Sequence, residues 1–160
     1  MLLSMPQQMK IVEAITPQAG AAITGDYVSL KNCHKAYIIL HVCQGAANVM
    51  TITPYQATSV AAGSEKVLTN VVPIWANEDC ATSDTLVEQT AAKNYALSAA
   101  TTDKMVIFEI DPRNALDVNA GFDCMCVKTS ASAAANITSA IYYLVNDRYA
   151  QATPPAAITD

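Results

Sequence analysis

Charge is scarce in this chain. Asp, Glu, Lys and Arg make up 14% of its 160 residues, against roughly 25% in an average globular domain. The exterior must therefore draw on Thr, Ser, Asn, Gln and Ala, which suits a subunit partly covered by neighbours. Positive charge is the scarcer sign: nine Lys+Arg face fourteen Asp+Glu, for a formal net charge of -5. No basic run interleaves with aromatics to track phosphates, so nucleic acid is not an expected partner. Long apolar runs are missing as well. No window reaches the ~18 uninterrupted apolar residues of a spanning helix, so no membrane association is expected. The opening Met1–Pro6 gives way to Gln7, Gln8 and Lys10 before an apolar core of signal-peptide length develops, and no secretion signal is expected.

The residues that carry most chemistry are equally sparse. Histidine occurs only at His34 and His41, and there is no Gly-x-Ser-x-Gly elbow, which argues against a hydrolytic triad. Gly20, Gly25, Gly45, Gly63 and Gly121 are scattered singly, so neither a phosphate loop nor a dinucleotide fingerprint exists and no nucleotide cofactor is expected. Cys33, Cys43, Cys80, Cys124 and Cys126 form an odd set in a chain long enough to fold on its own core. Free thiols in a reducing cytoplasm are expected, not a disulfide framework.

What is abundant is β-branched and aromatic residues in short runs bounded by Gly, Asn, Asp or Pro. Strands are predicted at Ala22–Leu30, Lys35–Val42, Asn48–Thr53, Val67–Trp75, Lys104–Ile110, Phe122–Lys128 and Ile137–Val145. Seven such runs at fairly regular spacing predict an all-β, antiparallel β-sandwich, jelly-roll-like, with extended terminal arms. Tyr37–Val42 and Met105–Ile110 are apolar almost throughout, as in strands covered on both faces or lying at a subunit contact. Gln44–Ala47 is read as a hairpin turn joining Lys35–Val42 to Asn48–Thr53, and Ala61–Ser64 as a turn opening the next strand. Ser83–Gln89 fits either a capped short helix or a polar edge strand. Asp111–Leu116 stops a strand at Pro112 and begins a turn or single helical turn. The boundaries expected are an N-terminal arm at 1–20, a sandwich domain at 21–150 and a C-terminal tail at 151–160, where Pro154-Pro155 favours extended backbone. A short amphipathic helix at Gln7–Ala14 is the alternative for the arm.

Four constellations have residue types that could carry chemistry. Cys33, His34, His41 and Cys43 offer sulfur and nitrogen to zinc, but their spacing matches no short motif, and Cys33 and His34 point to opposite faces if extended. Cys124 and Cys126 share a strand face, where packing as small hydrophobes is the commoner use. Glu78, Asp79, Asp84, Asp111, Asp117 and Asp123 offer carboxylates without EF-hand order. Trp75, Tyr142, Tyr143 and Tyr149 suit either a sugar-stacking platform or subunit contacts. Asn136-Ile137-Thr138 matches the glycosylation triplet, a chance match without secretion. No catalytic, cofactor-binding or metal residue is assigned.

The segments Trp75–Asp79, Phe108–Pro112, Leu116–Asp123 and Tyr149–Pro155 together resemble a family of small structural proteins of tailed bacteriophages and prophages, from about Tyr27 onward. The resemblance implies a virion head component similar to capsid decoration, or cement, proteins. Such a protein is made in the bacterial cytoplasm, sits on the capsid exterior as a homotrimer, touches the major capsid protein and clamps neighbouring capsomers. It implies no enzyme activity and no cofactor. The competing expectations are a head-fibre or tail-associated module that binds host carbohydrate through Trp75 and the tyrosines, and a lyase or hydrolase on a jelly-roll scaffold.

Overall fold

A computed structural model describes residues 5–145. After a four-residue helix α1 (Met5–Gln8), the chain runs as β1 (Met9–Ala19), β2 (Val28–Ser29), β3 (Lys35–Gln44), β4 (Thr51–Ala57), β5 (Lys66–Val67), β6 (Val72–Asn77), β7 (Val87–Ala92), β8 (Tyr95–Ala96) and β9 (Asp103–Ile110). The helical turn α2 (Pro112–Ala115), β10 (Cys124–Thr129) and β11 (Asn136–Val145) complete it. Every ladder is antiparallel. One sheet has the order β1-β11-β3-β9-β6-β7 and the other β2-β10-β4-β5, with β8 also on β4. Stripped of the β6–β8 insertion, the four-strand sets β1-β11-β3-β9 and β2-β10-β4-β5 have the strand order of a jelly roll, two Greek keys folded into facing sheets. The all-β sandwich predicted from the runs is therefore the fold observed.

The core follows from alternation along the strands. β3 buries Ala36, Ile38, Leu40 and Val42, and β9 buries Val106, Phe108 and Ile110. β11 adds Ala140, Tyr142 and Leu144, facing Val28, Ile52, Met125 and Val127 of the other sheet. Tyr142 also joins the layers by polar contacts: its hydroxyl donates to the Asp26 carbonyl at 3.0 Å and accepts the Val127 N–H at 2.9 Å.

Several expectations are corrected. Residues 9–19 are not an arm or an amphipathic helix: β1 pairs with β11 from Met9↔Val145 to Ala19↔Ile137 and buries Ala14 and Ile15. Two register irregularities, between Glu13 and Ile15 and between Ile15 and Gln18, break the alternation that identifies a strand in sequence. The sandwich thus begins at Met9, not at residue 21. The tail at 151–160 lies outside the described residues. Gln44–Ala47 closes no hairpin, because β3 finds β11 and β9 as neighbours while β4 belongs to the opposite sheet. The run Ala22–Leu30 reduces to β2 and a single bridge, Thr24↔Lys128, with Gly25 pressed against the carbonyls of Val127 and Ala14. Val67–Trp75 divides between β5 and β6, in different sheets. The strand foreseen at Asn48–Thr53 runs later and through Pro54, which falls between the β8 pairing at Thr51–Ile52 and the β5 pairing at Tyr55–Gln56. Of the two readings of Ser83–Gln89, the edge strand holds, as β7. Asp111 caps α2 by accepting the Arg113 N–H at 3.1 Å.

Deleting residues 1–19 is expected to remove an edge strand and bare the flank of β11. Urea unfolding of that variant should lose its cooperative transition or shift it by several kcal/mol; an unchanged midpoint would show that β1 contributes nothing to the fold.

Candidate functional site

Strands that are apolar almost throughout place hydrophobic side chains on both sheet faces. The outward residues of β3, β9, β11 and β6 accordingly form a cross-strand row. Ile141 stands opposite Ile39, Ile39 opposite Ile107, and Ile107 opposite Trp75. Beside it, Tyr143 lies opposite Tyr37 and Ile11, and His41 opposite Met105. Trp75 is fixed in place: its Nε1–H donates to Glu109 Oε1 at 2.9 Å, and Glu109 Oε2 lies 2.5 Å from Lys35 Nζ. The Lys35 ammonium also sits 5.1 Å from the Tyr37 ring centroid. The hydrogen bond to Glu109 is the chief reason that Lys35 holds its proton more tightly than an ordinary lysine. The result is a wide apolar face with a pre-ordered aromatic anchor, the composition of a protein contact. Glu13 at the β1 edge, Glu88 opposite Trp75 and Asp103 opposite Cys43 rim it; all three are exposed and have no salt-bridge partner among the described residues.

At the end of the sandwich where β3 begins and β11 ends is a groove of about 890 Å³. Leu30, Pro112, Leu116, Val118 and Val145 supply apolar lining, and Lys31, Asn32, His34, Arg113 and Asp123 polar side chains. Lys31 and Arg113 are exposed and form no salt bridge among the described residues.

Cys33, His34, His41 and Cys43 are not brought together. Cys33 and His34 precede β3, whereas His41 and Cys43 lie exposed near its far end, on the order of 20–30 Å away along an extended strand. Among the described residues no cluster of three or more His, Cys, Asp or Glu is placed to hold a metal ion. The thiols are poor nucleophiles. Burial pushes Cys33 and Cys126 up to about 11, and burial with the Asp123 carboxylate pushes Cys124 up to about 12, so all three remain protonated near neutral pH. Cys124 and Cys126 do share a face, packed under Tyr27, Tyr55 and Ala62.

The carboxylates are individually engaged. Asp79 accepts from Thr82 Oγ1, Asp111 caps α2, Asp117 pairs with Lys66 at 2.8 Å, and Asp123 accepts from Cys124 Sγ. Asp84 is exposed in the loop before β7. Asn136 is buried, with its side chain accepting the Ala46 N–H and donating to Ser132 Oγ, so the glycosylation triplet is structural. Of the aromatic set, Trp75 and Tyr143 share the outer face, Tyr142 is core, and Tyr149 lies outside the described residues.

One cluster escaped the sequence reading. Lys104 is fully buried, with Nζ 2.8 Å from Glu78 Oε2, 2.6 Å from Ser98 Oγ and 2.9 Å from the Ser98 carbonyl. Tyr95 and Ser98 hydroxyls both donate to Glu78. Burial opposes ionisation of Glu78, but hydrogen bonds from Lys104, Tyr95 and Ser98 outweigh it and hold the carboxyl below its ordinary range. A lysine beside a serine has the shape of a Ser–Lys nucleophile, yet the Ser98 hydroxyl donates its proton to Glu78 Oε2 at 2.8 Å and not to the amine. The cluster works as an anchor for the insertion. Its signal in the sequence is Lys104 itself, in phase with Val106, Phe108 and Ile110.

No family model and no curated protein sequence matches the chain. Among solved structures, the SPBc2 prophage-derived protein YomS aligns with 85% of this chain and 92% of its own, at 8% identity and a TM-score of 0.47. A structure of the Gt strain of infectious bursal disease virus aligns with 93% of this chain and 45% of its own, at 12% identity and a TM-score of 0.25. Both likenesses are too distant to bear on function.

Glu78→Gln leaves the buried Lys104 ammonium without its counter-charge and is expected to cost about 3–5 kcal/mol in urea unfolding, with much of the loss recovered by Glu78→Gln/Lys104→Met. Because the folded carboxyl titrates below its ordinary value of 4.5, its contribution is present above that pH and is lost as pH falls through the lower folded value. Stability that is flat across this acid range in the wild type would contradict the assignment. Separately, Cys43, exposed on the outer face, should react first with a thiol reagent at neutral pH, and Cys124 and Cys126 only after unfolding.

Proposed function

We propose that this chain is a non-enzymatic structural subunit of a tailed-phage virion, one that decorates the capsid exterior and stabilises it by clamping neighbouring major-capsid subunits, as a homotrimer. The observation that carries the building-block reading is the outward row Ile141–Ile39–Ile107–Trp75. A contiguous apolar face of this kind marks a surface that another protein covers. The sandwich behind it is suited to bearing load, since the six-stranded sheet is pinned by long antiparallel ladders and by the ion pair of the buried Lys104 with Glu78. The phage-head setting comes from the sequence segments described above.

Carbohydrate binding is the second reading, favoured by Trp75, Tyr37 and Tyr143 standing on one face. The centre of that face is aliphatic, however, and sugar platforms place aromatic rings beside hydrogen-bonding groups.

Phage heads assembled without this protein are expected to rupture at lower temperature, and adding back the purified protein should restore them. Failure of the protein to bind such heads, together with a strong glycan-array signal, would replace the capsid reading with the carbohydrate one.

A further inference from the structure

The outer face and the end groove are complementary in kind. The face has an apolar centre and unpaired carboxylates at Glu13, Glu88 and Asp103 on its rim, with Lys35 and Glu109 paired to each other. The groove has an apolar lining and presents Lys31 and Arg113, two cations without a salt-bridge partner among the described residues, against one half-buried carboxylate, Asp123. Lys35, Lys66, Lys104 and Lys128 are each held by a carboxylate of their own chain, whereas Lys10 on β1 and Lys93 just past β7, like Lys31 and Arg113, have no salt-bridge partner among the described residues. Unpaired acid on one surface and unpaired base on another, in a chain this poor in charge, is a pattern that two copies satisfy mutually.

We infer that the outer face of the six-stranded sheet is covered by the groove end of a second copy of this chain, in a head-to-tail contact. The inference rests on the building-block reading and names the partner of that face. Two identical faces meeting directly would oppose their acidic rims, which disfavours a face-to-face pair. Six strands spaced by about 4.8 Å, over some eight residues of roughly 3.3 Å each, give a patch on the order of 700 Å², near the roughly 800 Å² per partner of a stable complex. The face and the groove adjoin at Val145, which lines the groove and stands opposite Lys35 in the sheet. Each copy therefore offers both halves of the contact, and head-to-tail contacts whose rotation closes produce rings.

The test uses the full chain and charge reversal at exposed positions, with light scattering after size exclusion as the readout and thermal unfolding as the check that each variant is folded. Wild type is expected to be oligomeric at micromolar concentration. Lys31→Glu/Arg113→Glu and Glu13→Lys/Glu88→Lys should each weaken association on the order of a hundredfold, giving monomers. Mixing these two variants, or combining all four substitutions in one chain, should restore association because each acidic surface again meets a basic one. A monomeric wild type, a groove variant as oligomeric as wild type, or a mixture that stays monomeric would each overturn the inference. Head binding is not involved in any arm, so a failure here is separable from a failure of the capsid reading.

Discussion

The ladder between β3 and β11 is the constraint on which the rest of the structure depends. Its ten pairs run from Asn136↔Gln44 to Val145↔Lys35 without a shift, and β9 continues the same register on the other side of β3. A slip of one residue would exchange inward and outward side chains along the whole strand. In strands that are apolar on both faces, hydrophobicity alone resists such a slip weakly. Polar groups placed inward supply the missing specification. Gln44 and Asn136 close one end of the ladder with hydrogen bonds to backbone, Lys104 reaches Glu78, and the Tyr142 hydroxyl bridges to β10 and the Asp26 carbonyl. Each of these would be buried without a partner, or turned to solvent, in a shifted register, at a cost of about 1–3 kcal/mol per unsatisfied group and more for the ammonium.

The same register explains why the core and the contact face are two products of one arrangement. Ile38 and Leu40 cannot face Val127 and Met125 unless Tyr37 and Ile39 face outward, because adjacent side chains on a strand alternate. The apolar outer row is thus fixed as firmly as the core, and the Trp75–Glu109–Lys35 chain of contacts removes the remaining freedom of its largest member. Ordering of this kind before binding lowers the entropic cost of association.

How much of this was legible in the sequence depended on how local the determining contacts are. Lys35–Val42, Lys104–Ile110 and Ile137–Val145 announce themselves as strands, since β-branched runs bounded by turn residues need no distant information. Their continuous hydrophobicity also foretold coverage on both faces. The first strand was hidden, because its two irregularities and Pro17 interrupt the period of two on which recognition relies. The turn at Gln44–Ala47 has hairpin chemistry, but the partner of β3 lies about a hundred residues further along, and pairing across that distance is invisible to turn preferences. The anchor of Lys104 was missed for the same reason: Glu78, Tyr95 and Ser98 come from the insertion, and only the phase of Lys104 within its strand hints that a buried cation needs company. Trp75 and Tyr143 were singled out by residue type. That Tyr142 faces inward while Tyr143 faces outward is settled by the ladder.

The low charge content can now be argued from the fold. Lys35, Lys66, Lys104 and Lys128 are tied to Glu109, Asp117, Glu78 and Glu65, and three of them also lie over the rings of Tyr37, Phe122 and Tyr55. These pairs brace strand to strand and loop to sheet, with Lys128 and Glu65 holding the loop that covers Cys124 and Cys126. The three exposed pairs, those of Lys35, Lys66 and Lys128, contribute little each to stability, about 0–1 kcal/mol, but they neutralise the sandwich surface where they occur. The charges left over then dominate the local potential wherever they sit, among them Glu13, Glu88 and Asp103 around the apolar face and Lys31 and Arg113 at the groove. A surface with few charges gives each remaining one more influence over orientation, so sparse charge, often read as a want of solubility, here sets the terms on which a neighbour is admitted.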